Sequence, residues 1–142
     1  MDRFKFRVWN NRDWDNDFGK VYYDAEKTYD YLGGNPNIPT SSFGNLVESD
    51  EWIVEQCTGL KDKNGNLIYE GDIVEFYSYS YIEAISGKSM KRRVGIVIWN
   101  DEMLKFDITV NGSAIPDLCK KTDDNQFVII GNIHENPELL EE

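Results

Sequence analysis

The 142-residue sequence is poor in the side chains that many catalytic and metal sites require. It contains one histidine, His134, and two cysteines, Cys57 and Cys119, which lie far apart. Disulfide scaffolds and zinc knuckles need paired cysteines, so neither is predicted, and both thiols are expected to be reduced. No run approaches the ~20 apolar residues that cross a bilayer, and the first residues lack the apolar segment of a secretory signal. The expectation is a soluble cytoplasmic protein without a cofactor, a metal or a membrane partner.

Positive charge is also scarce. The chain has 15 Lys and Arg against 26 Asp and Glu, a formal net charge of −11. The imbalance is uneven, because residues 57–99 carry 6 basic and 5 acidic side chains whereas residues 100–142 carry 3 and 10. Such an acidic chain repels phosphate backbones, which argues against general binding to duplex DNA. The 40% hydrophobic content is sufficient for a core, and the length fits one domain.

Apolar and polar residues alternate with period two along much of the chain, which is typical of β-strands. Asp24 is predicted to cap a short helix, which Gly33 and Gly34 end. The predicted elements are, in chain order, strands over residues 4–9 and 21–23, a helix over 25–32, a loop over 33–45, strands over 52–57, 73–81, 93–99, 104–110 and 127–130, and a helical turn over 136–140.

Tight turns join these strands. Asn64-Gly65 predicts a type I′ turn, because both residue types accept a positive φ, and Asn111-Gly112 reverses the chain again. The strand over residues 127–130 is apolar on both faces and is therefore predicted to be central. Short antiparallel strands over residues 71–133 predict a small closed or half-open barrel.

The predicted fold class is therefore mainly β (α+β): an SH3-like small antiparallel barrel with an N-terminal hairpin and a short helix. Residues 1–142 are expected to form a single domain. Within it, residues 1–57 hold the hairpin and helix, residues 58–133 form the β-barrel core, and residues 134–142 form a C-terminal turn and tail.

Four blocks of the sequence resemble the YopX family of phage and prophage proteins. They are KFRVW (5–9), QCTGLKDKNGNLIYEGDIV (56–74), GIVIW (95–99) and IGNIHENPELL (130–140). The sequence departs from the family at Cys57 and His134, where an aromatic residue is usual, so both are interpreted as packing positions. The resemblance implies an SH3-like, mainly β fold, a phage origin in a bacterial cytoplasm and a ring or other homo-oligomer. It implies no known activity and no catalytic residues.

Two acidic segments are candidates for a metal site or for catalysis. Residues 62–65 are reminiscent of a calcium loop, but the EF-hand pattern would need acidic ligands where the sequence has Leu60 and Gly71. Glu70 and Asp72 could serve a carboxylate-dependent hydrolase, but Gly71 between them predicts a bulge or a positive φ, with Asp72 capping the turn. A structural role is favoured for both segments, and the protein is predicted not to be an enzyme.

The hairpin between Phe76 and Arg93 is the most informative functional candidate. Tyrosines alternate along its first strand, and the densest basic cluster of the sequence follows the loop. Three interpretations stay open: the centre of a subunit interface, which is favoured, a hairpin packed on its own neighbours, or a site for single-stranded nucleic acid. The candidate residues are Tyr77, Tyr79, Tyr81, Lys88, Lys91, Arg92 and Arg93.

Together these observations predict an uncharacterised, non-enzymatic phage accessory protein that assembles with itself and binds a host or phage protein. In a ring, the basic hairpin of one subunit would meet the acidic surface of the next. The alternative is a factor acting on nucleic-acid machinery, either by binding single strands through the hairpin or by mimicking DNA with its carboxylates.

Overall fold

A computed structural model describes residues 4–27, 43–78, 91–115 and 127–140, and within these ranges the chain is mainly β. The chain divides into two compact units, residues 1–60 and 61–142, each described by itself below. The predicted single domain with an internal boundary at 57/58 stays a prediction. The elements are β1 (Phe6–Asn10), β2 (Val21–Tyr23), a 3₁₀ turn (Ala25–Lys27), α1 (Phe43–Glu48), β3 (Trp52–Lys61), β4 (Leu67–Tyr69), β5 (Asp72–Ser78), β6 (Lys91–Asn100), β7 (Lys105–Val110), β8 (Ser113–Ile115), β9 (Val128–Asn132) and a second 3₁₀ turn (Pro137–Leu140).

The first unit is built on an antiparallel sheet with β1 between β2 and β3. Val8 is fully buried at its centre, opposite Tyr22 on one side and Val54 on the other. The predicted N-terminal hairpin is therefore confirmed. Its core cluster contains Val8, Ala25, Leu46 and Trp52, with Phe6, Tyr22, Phe43 and Val54 packed against it.

The helices of this unit differ from the prediction. Over the described part of the predicted helix the chain forms a 3₁₀ turn, and residues 28–32 lie outside the described ranges. Asp24 has a left-handed φ of +58° and its carbonyl accepts the N–H of Lys27, whereas a helix N-cap has an extended φ. Helix α1 is not predicted by the sequence, since the predicted loop over residues 33–45 includes the first three residues of this helix. Burial of Leu46 in the core holds this six-residue helix, so tertiary packing decides it.

The polar turn that follows β1 is organised by Asn10, whose side chain is buried. Its Oδ1 accepts the N–H of Arg12 at 3.0 Å, and its Nδ2 donates to Asp15 at 3.1 Å. The backbone N–H of Asp17 and the Asn10 amide both stabilise the charged carboxylate, so they lower the pKa of Asp15. The chain between β1 and β2 is therefore a turn that its own polar side chains order.

The second unit contains a five-stranded antiparallel sheet with the order β8-β7-β6-β5-β9. This arrangement is a half-barrel and confirms the predicted class of small antiparallel β-barrel. The two rings of Phe76 and Phe127 pack with centroids 5.1 Å apart. Its buried apolar side chains are Ile68, Tyr69, Ile73, Val74, Phe76, Val97, Ile108 and Phe127.

Two predicted features of this unit are wrong. At Asn64-Gly65 only Gly65 has a positive φ, +84°, so the turn is not type I′; the type I′ combination occurs at Asn111 (φ +52°) and Gly112 (φ +83°). The strand β9 occupies an end of the five-stranded order, not its centre, and its apolar residues are half-buried. Both faces of β9 carry apolar residues because both faces are partly buried at this end of the sheet.

Gly95 is required by a close approach of two strands. A Cβ atom at this position would lie 2.5 Å from Ile108 Cγ2 and 2.8 Å from the backbone oxygen of Thr109. Because that oxygen belongs to the backbone of β7, which is paired with β6, it cannot move away without disturbing the sheet. We expect Gly95→Ala to destabilise the protein by about 1–3 kcal/mol. Urea unfolding measures the loss of stability. The matched control is Gly44→Ala at an exposed position of α1, because alanine favours a helix more than glycine does. Equal unfolding midpoints for the two variants would contradict the clash.

Candidate interaction site

The carboxylate of Asp62 is occupied by the backbone around it. Asp62 is 3% exposed, and its Oδ1 accepts the N–H groups of Asn64 and Asn66, both at 2.9 Å. Its Oδ2 accepts the N–H of Ile129 in β9 at 3.0 Å. Both oxygens therefore act as structural acceptors that order the turn and fasten it to β9. This is the structural role that the sequence favoured over a calcium loop.

The Asp72 carboxylate also accepts a backbone hydrogen bond within a turn. Its Oδ2 accepts the N–H of Tyr69 at 2.8 Å, and Gly71 between them has a φ of +87°. The backbone of Gly71 also donates to Val97 and accepts from Ile133, so the turn joins two strands. The predicted positive φ and the predicted turn-capping aspartate are both present.

His134 lies on the turn that follows β9. Its side chain is half-buried, and its backbone N–H donates to the side-chain oxygen of Asn132 at 3.0 Å. Cys57, interpreted from the sequence as a packing position, is a fully buried residue of the first unit, and its Sγ accepts the N–H of Gly59 at 3.4 Å. Cys119 lies outside the described residues. Within the described ranges, no three His, Cys, Asp or Glu side chains are grouped to hold a metal ion.

Tyr77, Arg92 and Glu75 share one face of the β5–β6 pair. Tyr77 lies directly opposite Arg92 in the register and is 48% exposed. The Nε of Arg92 donates to Glu75 Oε2 at 2.7 Å, and both side chains of this ion pair are partly exposed. The strand order thus places an aromatic ring, a cation and an anion side by side on an accessible surface.

Arg92 and Arg93 also line a small cleft in the second unit. Its volume is about 140 Å³, well below the ~300–1,000 Å³ of small-molecule pockets. The residues that line it are two arginines, four aliphatic residues and Asn111, a set suited to an acidic and apolar protein segment, because arginine is enriched and the buried centre is apolar at protein contacts. We call this surface the arginine cleft; its aliphatic walls are Val94, Val110, Leu139 and Leu140.

The structure brings together only part of the predicted site. Tyr77, Arg92 and Arg93 lie on β5 and β6, with Arg93 opposite buried Phe76. Lys91 is the first residue of β6 and pairs with Ser78 in the register. Tyr79, Tyr81 and Lys88 lie outside the described residues, so the full tyrosine and lysine cluster stays a prediction.

The sequence missed the contribution of Leu139 and Leu140 to the cleft. These residues belong to the second 3₁₀ turn, about forty residues after the end of β6 in the chain. The Asn-Pro start and apolar end of this turn were visible in the sequence, but its position beside β6 was not.

None of the helices in the described part of the chain has the length and hydropathy that crossing a bilayer takes.

Comparison with known proteins finds a family, a solved structure and a curated protein to which this chain is similar. The profile of the family described as "YopX protein" matches residues 5–141. The solved structure of protein EF1440 from Enterococcus faecalis is similar in fold, with a TM-score of 0.57, 24% identity and coverage of 96% of both chains. A curated relative, "Bifunctional protein GlmU" of Methanocaldococcus jannaschii, is 28% identical over 92 residues, which are 62% of this chain and 22% of that protein. The chain thus spans about a fifth of that relative's length.

Proposed function

Because this chain belongs to the YopX family, whose profile matches nearly its whole length, we propose that it is a non-enzymatic phage accessory protein that associates with copies of itself and binds a further protein of host or phage. In this role the protein acts in the bacterial cytoplasm. It associates with other copies through the arginine cleft and the adjoining face of β5 and β6.

The observation that carries the proposal is the composition of the arginine cleft. A guanidinium group has a fixed set of five N–H donors that matches carboxylates, and the neighbouring aliphatic walls can cover apolar atoms of the same partner. A net charge of −11 means that other copies of the chain offer many carboxylates. The cleft volume of about 140 Å³ favours a protruding protein segment over a small-molecule substrate.

The buried carboxylates support the non-enzymatic part of the proposal. A general acid or base must reach a substrate proton, and its oxygens must be accessible in the site. Asp62 and Asp72 are each 3% exposed and accept backbone N–H groups. Their geometry therefore favours turn formation over proton transfer.

Self-association should weaken with salt and with loss of Arg92. In sedimentation velocity at about 50 mM salt, the wild type is expected to sediment as a multiple of its 16.5 kDa mass, and as smaller species at about 1 M, where the Debye length falls to about 3 Å. Arg92→Ala should reduce assembly at low salt. Its matched control is Lys20→Ala, which also removes a cation from an exposed ion pair but lies in the other unit. A wild type that remains monomeric at every micromolar concentration and at low salt would refute self-association.

Binding of single-stranded nucleic acid is a second candidate, favoured by the exposed ring of Tyr77 beside Arg92. Stacking on such a ring tolerates any base. The net charge of −11 disfavours it, because an acidic chain repels phosphate backbones. Retardation of a labelled oligonucleotide that is lost in Tyr77→Ala would favour this candidate over the first.

A further inference from the structure

The turn between β6 and β7, residues 101–104, exposes two large apolar side chains. Met103 is 64% exposed and Leu104 is 74% exposed, and they follow Asp101 and Glu102, which are also exposed. We call these four residues the β6–β7 tip. Two acidic residues followed by two apolar ones make it an amphipathic protrusion.

Leu104 occupies a position that favours glycine. Its φ is +53°, in the left-handed region where a Cβ atom crowds the backbone. Asn100 stabilises the turn, because its Oδ1 accepts the N–H groups of Glu102 and Met103, both at 3.1 Å. A leucine that is both strained and solvated costs stability in the isolated chain, and such cost is characteristic of residues that act in contacts.

The tip and the arginine cleft are complementary in charge and in apolar character. Asp101 and Glu102 are opposite in charge to Arg92 and Arg93, of which Arg92 also pairs with Glu75 of its own chain, while Met103 and Leu104 match the aliphatic walls. We infer that the β6–β7 tip of one copy docks into the arginine cleft of the next copy. This inference rests on the proposed self-association and names the two surfaces that make it.

The cleft of the same copy is out of reach for the tip. Arg92 lies near the start of β6 and Asn100 at its end, so about 26 Å of extended strand separates them. The contact is therefore between different surfaces of two copies. Such a head-to-tail contact leaves each copy one unused tip or cleft, so it builds closed rings or open chains.

Two variants test the pairing, one on each surface. Leu104→Gly removes the apolar anchor and relieves the positive φ, so its thermal midpoint should be no lower than that of the wild type. Arg92→Ala removes a guanidinium from the cleft. Each variant alone should associate about tenfold or more weakly than the wild type in sedimentation velocity. The control Val47→Ala shortens another exposed apolar side chain, in the first unit, and should assemble as the wild type does.

Mixing the two variants gives the decisive result. Leu104→Gly keeps an intact cleft and Arg92→Ala keeps an intact tip, so the mixture should form a 1:1 dimer of twice 16.5 kDa and nothing larger. If the wild type assembles while both variants also assemble normally, or if the mixture stays monomeric, the tip-to-cleft contact is refuted and self-association is not. If the wild type itself never assembles, the proposed function fails first.

Discussion

Replacing Arg7 by alanine is expected to destabilise the protein by about 3–5 kcal/mol. Arg7 is 1% exposed, and its Nε donates to Glu55 Oε1 at 2.9 Å across the β1–β3 pair. Without the guanidinium, the Glu55 carboxylate, itself 4% exposed, stays buried without its cation. Glu55→Ala should lower the stability by a similar amount, because it removes the carboxylate that pairs with the buried Arg7 guanidinium.

The double replacement Arg7→Met with Glu55→Leu distinguishes the net contribution of the ion pair to stability from the cost of leaving one buried charge without its partner. Apolar residues need no compensating charge, so the double variant should be close to the wild type in stability or above it. Urea unfolding followed by tryptophan fluorescence measures both effects, since buried Trp52 lies in the same unit. Lys20→Ala, which breaks an exposed ion pair, should leave the midpoint nearly unchanged. Single variants as stable as Lys20→Ala would show that the Arg7–Glu55 pair contributes nothing.

Removing the Asp62 carboxylate should have the second-largest effect, a loss of about 3 kcal/mol for Asp62→Ala. Three backbone N–H groups lose their acceptor in this variant, those of Asn64, Asn66 and Ile129. Asp62→Asn should cost less, about 1–2 kcal/mol, because its amide keeps one oxygen. The side-chain NH₂ group then faces either the N–H groups of Asn64 and Asn66 or the N–H of Ile129. The N–H groups that it faces lose their acceptor.

The measurement is the same urea titration, with Lys63→Ala as the neighbouring control. Lys63 is exposed, and its backbone N–H, which alanine retains, donates to Phe127 at 2.8 Å. A midpoint unchanged in both Asp62 variants would mean that the turn orders itself without the carboxylate. An Asn variant as unstable as the Ala variant would mean that all three hydrogen bonds need the charge.

The sequence located the strands well because their evidence is local. Alternation of apolar and polar residues predicted β1, β2, β5, β6 and β7 to within a few residues. The same local evidence was weaker at turns. Asn64 has a residue type that tolerates positive φ, but the Asp62 carboxylate holds its N–H in a different turn geometry.

The candidate site was only partly predictable for a related reason. Arg92 and Arg93 stood out as a basic pair in an acidic chain, and Tyr77 by its place in an alternating series. Leu104 was predicted to start a strand, since it is apolar and in phase with Phe106 and Ile108. Its left-handed φ follows from the turn that the two strands impose.

The mainly β class, the family blocks, the acidic charge and the basic pair Arg92 and Arg93 can all be read from the order of the residues. Only the folded chain shows that Arg7 is buried against Glu55, 48 residues away, and that the Asp62 carboxylate accepts the N–H of Ile129, 67 residues away. Only the folded chain, too, shows that the second 3₁₀ turn completes the arginine cleft. The physical reason is that periodicity reports on neighbours within one strand, whereas the partner of a buried charge is chosen by packing between strands that are distant in the chain.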